Sequence, residues 1–145
     1  MKVEIKLDHE SCMPTRAHQW DAGMDLRSMD NYSIAPGGMK IVDTGVSIKI
    51  PLGYVGLVFS RSSMGKHSVT LANAVGVIDE SYRGNIKVMI KNHSTDTYFD
   101  IIKGDRIAQL VITPIVIPDL LVFTGSDDLW NDTSRGNGGF GSTGR

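Results

Sequence analysis

Cysteine is nearly absent from this 145-residue chain: Cys12 stands alone, so no intrachain disulfide and no cysteine-based metal framework can form. One-signed charge is missing as well. Fifteen Lys and Arg against sixteen Asp and Glu leave a net charge of −1, which offers no general attraction for nucleic acid or for a membrane surface. Any bound anion must be held by a local cluster of cations. The four histidines, His9, His18, His67 and His93, have no metal-site spacing with one another. There is no long apolar run either. The most apolar stretch, Leu110 to Phe123, is interrupted by Thr113, Pro114, Pro118 and Asp119, so it does not read as a membrane span. The chain opens on alternating apolar and charged residues rather than on a secretory leader, and a cytoplasmic protein is expected.

A helical stripe is also lacking. What is present are short alternating or β-branched runs, each closed by a turn signal. Val3, Ile5 and Leu7 alternate with charged residues, and the run Ile41 to Ile50 lies between Ala35-Pro-Gly-Gly38 and Pro51-Leu-Gly53. Tyr54 to Phe59, the alternating Ile86, Val88 and Ile90, and Ala108 to Thr113 follow. A short helix is predicted at Ser62 to Lys66, after a serine N-cap. Many short strands with glycine- and proline-rich turns predict one all-β sandwich or barrel over residues 1–125. Residues 126–145 are then a linker and a mobile arm, because five glycines crowd the segment Arg135 to Arg145.

Five polar, glycine-flanked clusters fall between or after the strands, where a rigid β scaffold presents functional groups. They are Asp21-Ala-Gly-Met-Asp-Leu26, Ser60-Arg-Ser-Ser-Met-Gly-Lys66, Asn73 to Gly84, which reads as a hairpin, Gly104-Asp-Arg-Ile-Ala-Gln-Leu110 and the tail. The second brings a guanidinium, two hydroxyls and a helix start together, which suits phosphate oxygens. Each cluster also has a plain reading. Asp25 can be a salt-bridge partner, Arg61 a surface cation, and Gly104-Asp105 an ordinary turn.

In this order the five clusters resemble the five motifs of the homotrimeric dUTPase family, and the resemblance spans Asp21 to Gly144. It implies a jelly-roll-like β domain and hydrolysis of dUTP to dUMP and diphosphate, which lowers dUTP and supplies dUMP for thymidylate synthesis. It also implies attack of water on the α-phosphorus, assisted by Mg²⁺ held on the triphosphate. Asp79 matches the acid that orients and deprotonates the water. Asn73, Gly76 and Val77 match the uracil pocket, and Tyr82 the ring beneath the deoxyribose. Arg61, Ser62, Ser63 and Gln109 match phosphate contacts. In the tail, Arg135 matches the arginine that meets the γ-phosphate, and Phe140 the aromatic that stacks on uracil. Gly141, Ser142 and Thr143 match further phosphate contacts. No direct protein ligand to Mg²⁺ is expected, with Asp25 near the metal through water. Active sites shared between subunits of a trimer are implied, and a second protein partner is compatible with the sequence. Two alternatives compete. One is a dCTP deaminase-type enzyme sharing the fold; the other is a protein-binding module of dUTPase fold.

Overall fold

Eleven strands, two single-turn helices and a 3-10 turn at Glu10–Cys12 make up the computed structural model, which describes residues 1–139. The strands are β1 (Ile5–Leu7), β2 (Met24–Arg27), β3 (Tyr32–Ile34), β4 (Met39–Asp43), β5 (Val46–Ile48) and β6 (Tyr54–Phe59). They continue as β7 (Val69–Leu71), β8 (Val75–Ile78), β9 (Lys87–Asn92), β10 (Phe99–Ile101) and β11 (Arg106–Pro114). The helices are α1 (Ser62–Gly65) and α2 (Asp127–Trp130). The fold is all-β, as the sequence predicts. Every ladder is antiparallel, in four sheets ordered β2-β11-β6-β8, β4-β9-β7, β1-β5 and β10-β3.

Alternation builds the core. In β9, Val88, Ile90 and Asn92 point inward and are buried, while Lys87, Met89 and Lys91 face outward. Asn92 is polar but fully used: its amide donates to the carbonyls of Ile34, Ala35 and Thr97, and its oxygen accepts from the Ser94 N–H. Val42 and Val69 from the flanking strands β4 and β7, with Leu26, Val58, Ile101 and Leu110 from the other sheets, complete the interior. No helix among the described residues is long and apolar enough to cross a membrane.

Three local expectations change. The run Ile41 to Ile50 is two strands, β4 and β5, broken at Thr44-Gly45, where Gly45 has φ +65°. A Cβ there would lie 2.4 Å from Met29 Sδ and 2.7 Å from Cys12 Sγ, so both the backbone sign and the packing demand glycine. The segment Asn73 to Gly84 is not a paired hairpin: β8 pairs with β6, while β9 lies between β4 and β7. Finally, α1 starts after Arg61 rather than after a serine cap, and no side chain caps it. The Arg61 side chain is engaged elsewhere, and a four-residue helix has too short a dipole to supply much of the local charge.

The last strand ends at Pro114. Beyond it Val116, Leu120, Leu121 and Val122 are almost wholly exposed, and Phe123 stacks at 5.0 Å on Trp130 of α2.

Candidate active site

Strand register creates a polar cleft. Gln109 of β11 faces Asp25 of β2 on one side and Phe59 of β6 on the other. Arg61 follows two residues after Phe59 and reaches back over this row. Its Nε donates to Asp25 Oδ1 at 2.7 Å, and one terminal nitrogen donates to Ser63 Oγ and to the Arg106 carbonyl, both at 3.3 Å. Arg106 donates to the other Asp25 oxygen at 3.1 Å. One carboxylate is thus shared by two guanidinium groups, so the trio carries net positive charge and retains unused N–H donors.

Beside it lies a cavity of about 410 Å³, lined by Gly23, Asp25, Arg61, Ser62, Arg106 and Gln109 among others. Gln109 is oriented by donating to the Ser60 carbonyl at 3.2 Å. Gly23 permits this approach, since a Cβ would come within 2.6 Å of Gln109 Oε1.

Arg106 carries no site assignment in the sequence reading. It lies three positions before Gln109, and in a regular strand odd spacing would put the two on opposite faces. The pairing of β11 with β2 slips between Arg106 and Ala108, and this bulge turns Arg106 toward Asp25. The one available hint is the cation that directly follows Gly104-Asp105, a turn with φ +93° at the glycine.

The second group of expected residues gathers around β8. This strand is at the sheet edge, paired only with β6, so alternate backbone N–H and C=O groups face away from the ladder. Val77 is exposed, and Gly76 lets β8 close on Val58, whose Cβ would meet an added Cβ at 3.1 Å. Before the strand, the Val75 N–H donates to the Asn73 carbonyl at 2.6 Å across Ala74, which has φ +59°. This is a strained three-residue turn beside the exposed Asn73 side chain.

After the strand, a tight turn carries Asp79 and Tyr82. The Tyr82 N–H donates to the Asp79 carbonyl at 3.1 Å, and Arg83 folds back to donate to the carbonyls of Glu80 and Tyr82. The Tyr82 ring packs on Gly84, where a Cβ would fall 2.6 Å from its hydroxyl oxygen. Asp79 is exposed and makes no side-chain hydrogen bond among the described residues.

The two groups do not meet within this chain. Gly56 faces Ile78 and Phe59 faces Val75, so Asp79 comes level with Val55, near the Tyr54 end of β6, and Arg61 lies beyond the Phe59 end. At about 3.3 Å per residue the separation along the sheet is roughly 20 Å. Arg135 sits apart too, bonding the Gly138 carbonyl within its own turn at 3.0 Å. Phe140, Gly141, Ser142 and Thr143 lie outside the described residues.

A guanidinium-lined cleft and an exposed edge strand on an antiparallel frame suit a class of protein that handles small phosphorylated ligands. The comparisons make the class specific. The family model described as dUTPase matches residues 9–144, and the chain belongs to that family. Deoxyuridine 5'-triphosphate nucleotidohydrolase of Nautilia profundicola is 42% identical with both chains fully covered. The Corynebacterium glutamicum protein of the same name is 45% identical over 97% of this chain and 93% of its own. Among solved structures, the Staphylococcus bacteriophage 80alpha dUTPase with dUpNHpp superposes with a TM-score of 0.88 at 31% identity, covering 99% of each chain. A variant dUTPase from phage phi11 of S. aureus, described with a structural Mg(II) ion, has a TM-score of 0.80 at 29% identity and covers 88% and 99%.

Proposed function

We propose that the protein hydrolyses dUTP to dUMP and diphosphate in a site completed by a second copy of the chain. The observation that carries this reading is the Asp25–Arg61–Arg106 trio beside Gln109 in a member of the dUTPase family. The trio offers charge-assisted donors for phosphate oxygens, and Ser62 and Ser63 add hydroxyls. The acid–base group it lacks is Asp79, roughly 20 Å away in the same chain on the strand spacing. A symmetric oligomer, a trimer in our reading, brings Asp79 of one subunit to the cleft of another.

The uracil ring docks on the edge of β8. Backbone groups near Gly76 and Val77 read N3–H and O4, while cytosine presents the opposite polarity and leaves buried groups unpaired. Tyr82 supplies a ring wall under the deoxyribose that a 2′-hydroxyl would strike. Asp79 takes a proton from water as its oxygen bonds to the α-phosphorus. The bond from that phosphorus to the bridging oxygen breaks, and diphosphate leaves. Residues 1–125 form the fixed frame in this reading, and residues 126–145 the arm that closes over it. In that arm Arg135 meets the γ-phosphate, Phe140 covers the base, and Gly141, Ser142 and Thr143 bond phosphate oxygens.

Magnesium fits this donor set. The described residues gather no group of three or more His, Cys, Asp or Glu, and both Asp25 oxygens already accept from arginine. Mg²⁺ would therefore be held by phosphate oxygens and water, with Asp25 in reach through water, and would neutralise phosphate charge.

The test is a panel of dUTP, dCTP, dTTP and UTP with Mg²⁺, repeated in chelator, reading diphosphate and ammonia. Diphosphate from dUTP alone, lost in chelator, is expected. Ammonia from dCTP would establish the deaminase alternative, and turnover of none would leave a binding module.

A further inference from the structure

Every hydrogen bond of the turn from Asp79 to Gly84 stays within residues 79–85 among the described residues. Apart from its chain connections to β8 and Ile86, the turn is tied to the body of the protein by the side chain of Asn85. The Asn85 amide nitrogen donates to Asp8 Oδ2 at 2.6 Å and to Asp43 Oδ1 at 3.2 Å. Its amide oxygen accepts from Ser47 Oγ at 2.8 Å, and its backbone carbonyl accepts from the Tyr82 hydroxyl at 2.9 Å. One side chain therefore ties three segments together: the chain after β1, the end of β4, and β5. Asp43 is itself fixed by accepting from the Gly45 N–H at 2.8 Å. The same residue holds the tip of the Tyr82 ring through its backbone, and Gly84 supports the ring face.

We propose that Asn85 is a positioning residue for sugar selectivity. It holds the Tyr82 ring at a fixed height by anchoring the carbonyl to which the phenol hydroxyl is tied. This rests on the reading of Tyr82 as the deoxyribose wall. A ring that can withdraw by one ångström no longer excludes a 2′-hydroxyl, because steric exclusion falls off within the width of one atom. Loss of the anchor should therefore weaken discrimination between dUTP and UTP before it weakens the chemistry at Asp79.

The experiment compares kcat/KM for dUTP and UTP in Asn85→Ala, Asp8→Ala, Tyr82→Phe, Tyr82→Ala and the double variants Asn85→Ala/Tyr82→Phe and Asp8→Ala/Tyr82→Phe. Asp8 is exposed and outside the catalytic groups, so its variant keeps the test usable where Asn85→Ala does not fold. The dUTP/UTP ratio is expected to fall about tenfold in Asn85→Ala and about threefold in Asp8→Ala, with kcat for dUTP within about threefold of wild type. In the Tyr82→Phe background, either change should shift the ratio by less than about twofold, since the tie is already cut. A purely structural role would lower stability and act equally on both nucleotides. If Tyr82→Ala relaxes the ratio while Asp8→Ala and every folded Asn85 variant leave it unchanged, the anchoring role is overturned. Equal effects of those changes with and without the Tyr82 hydroxyl overturn it as well. If Tyr82→Ala itself leaves the ratio intact, the sugar-wall reading falls first.

Discussion

Arg61 donates through Nε to Asp25 Oδ1 at 2.7 Å, and both side chains are mostly buried in the cleft wall. An arginine fixed through Nε keeps its outer nitrogens aimed in one direction, which suits it to a phosphate. Asp25→Asn should remove the charge that holds Arg61 and Arg106 side by side. At about 1.5–3 kcal/mol for a hydrogen bond to a charged group, kcat/KM for dUTP is expected to fall ten- to hundredfold. Steady-state kinetics on folded protein provide the check, and an effect below threefold would remove Asp25 from this role.

Ala74 offers a different kind of test. Its φ of +59° stores strain in the turn beside Asn73. Glycine would relieve about 1–2 kcal/mol of it but add chain entropy to the unfolded state, leaving a net gain of roughly 0.5–1 kcal/mol. Ala74→Gly should therefore raise Tm by about 1–4 °C while lowering kcat/KM for dUTP severalfold, as the base pocket loses rigidity. Calorimetry and kinetics on the same sample decide; a lowered Tm would show that the turn is unstrained.

These two sites show how unevenly the molecule can be read from its letters. β9 was legible because apolar and charged residues alternate, and β6 because a continuous apolar run sits between the Pro51-Leu-Gly53 turn and the polar cluster at Ser60. The break at Thr44-Gly45 was not, since the β-branched run continues through it, and the glycine is explained by its positive φ and its packing against Cys12 and Met29. Asp25, Arg61 and Gln109 stand out as polar groups beside glycines, yet their convergence depends on register, a long-range property. Arg106 was hidden by a bulge that reverses the face expected from its spacing. Asn85 was hidden because its four partners come from residues 8, 43, 47 and 82.

The arm makes a third prediction. A protein ending at Ser134 lacks Arg135 and the glycine-rich segment, yet retains all eleven strands and the exposed 115–123 stretch. It should sediment as the full-length protein does and lose most of its kcat/KM, about a hundredfold or more, since the phosphate donors proposed for this segment leave together. Retained activity would return the segment to the status of a linker.

The separation of Asp79 from Arg61 makes the last prediction the most direct. If each site takes Asp79 from one subunit and Arg61 from the next, Asp79→Asn and Arg61→Ala should each be nearly inactive alone but complement each other when mixed. With random assembly, half of the subunits retain Asp79 and half of their neighbours retain Arg61, so roughly a quarter of the sites are intact. Co-refolding the two variants at equal amounts should recover about that share of wild-type turnover, while either variant refolded alone recovers none. Were both groups to serve one site in the same chain, no mixture could contain an intact site. Zero recovery from trimers shown by mass to be mixed would place Asp79 and Arg61 in one subunit's site, against the roughly 20 Å set by the β6–β8 register.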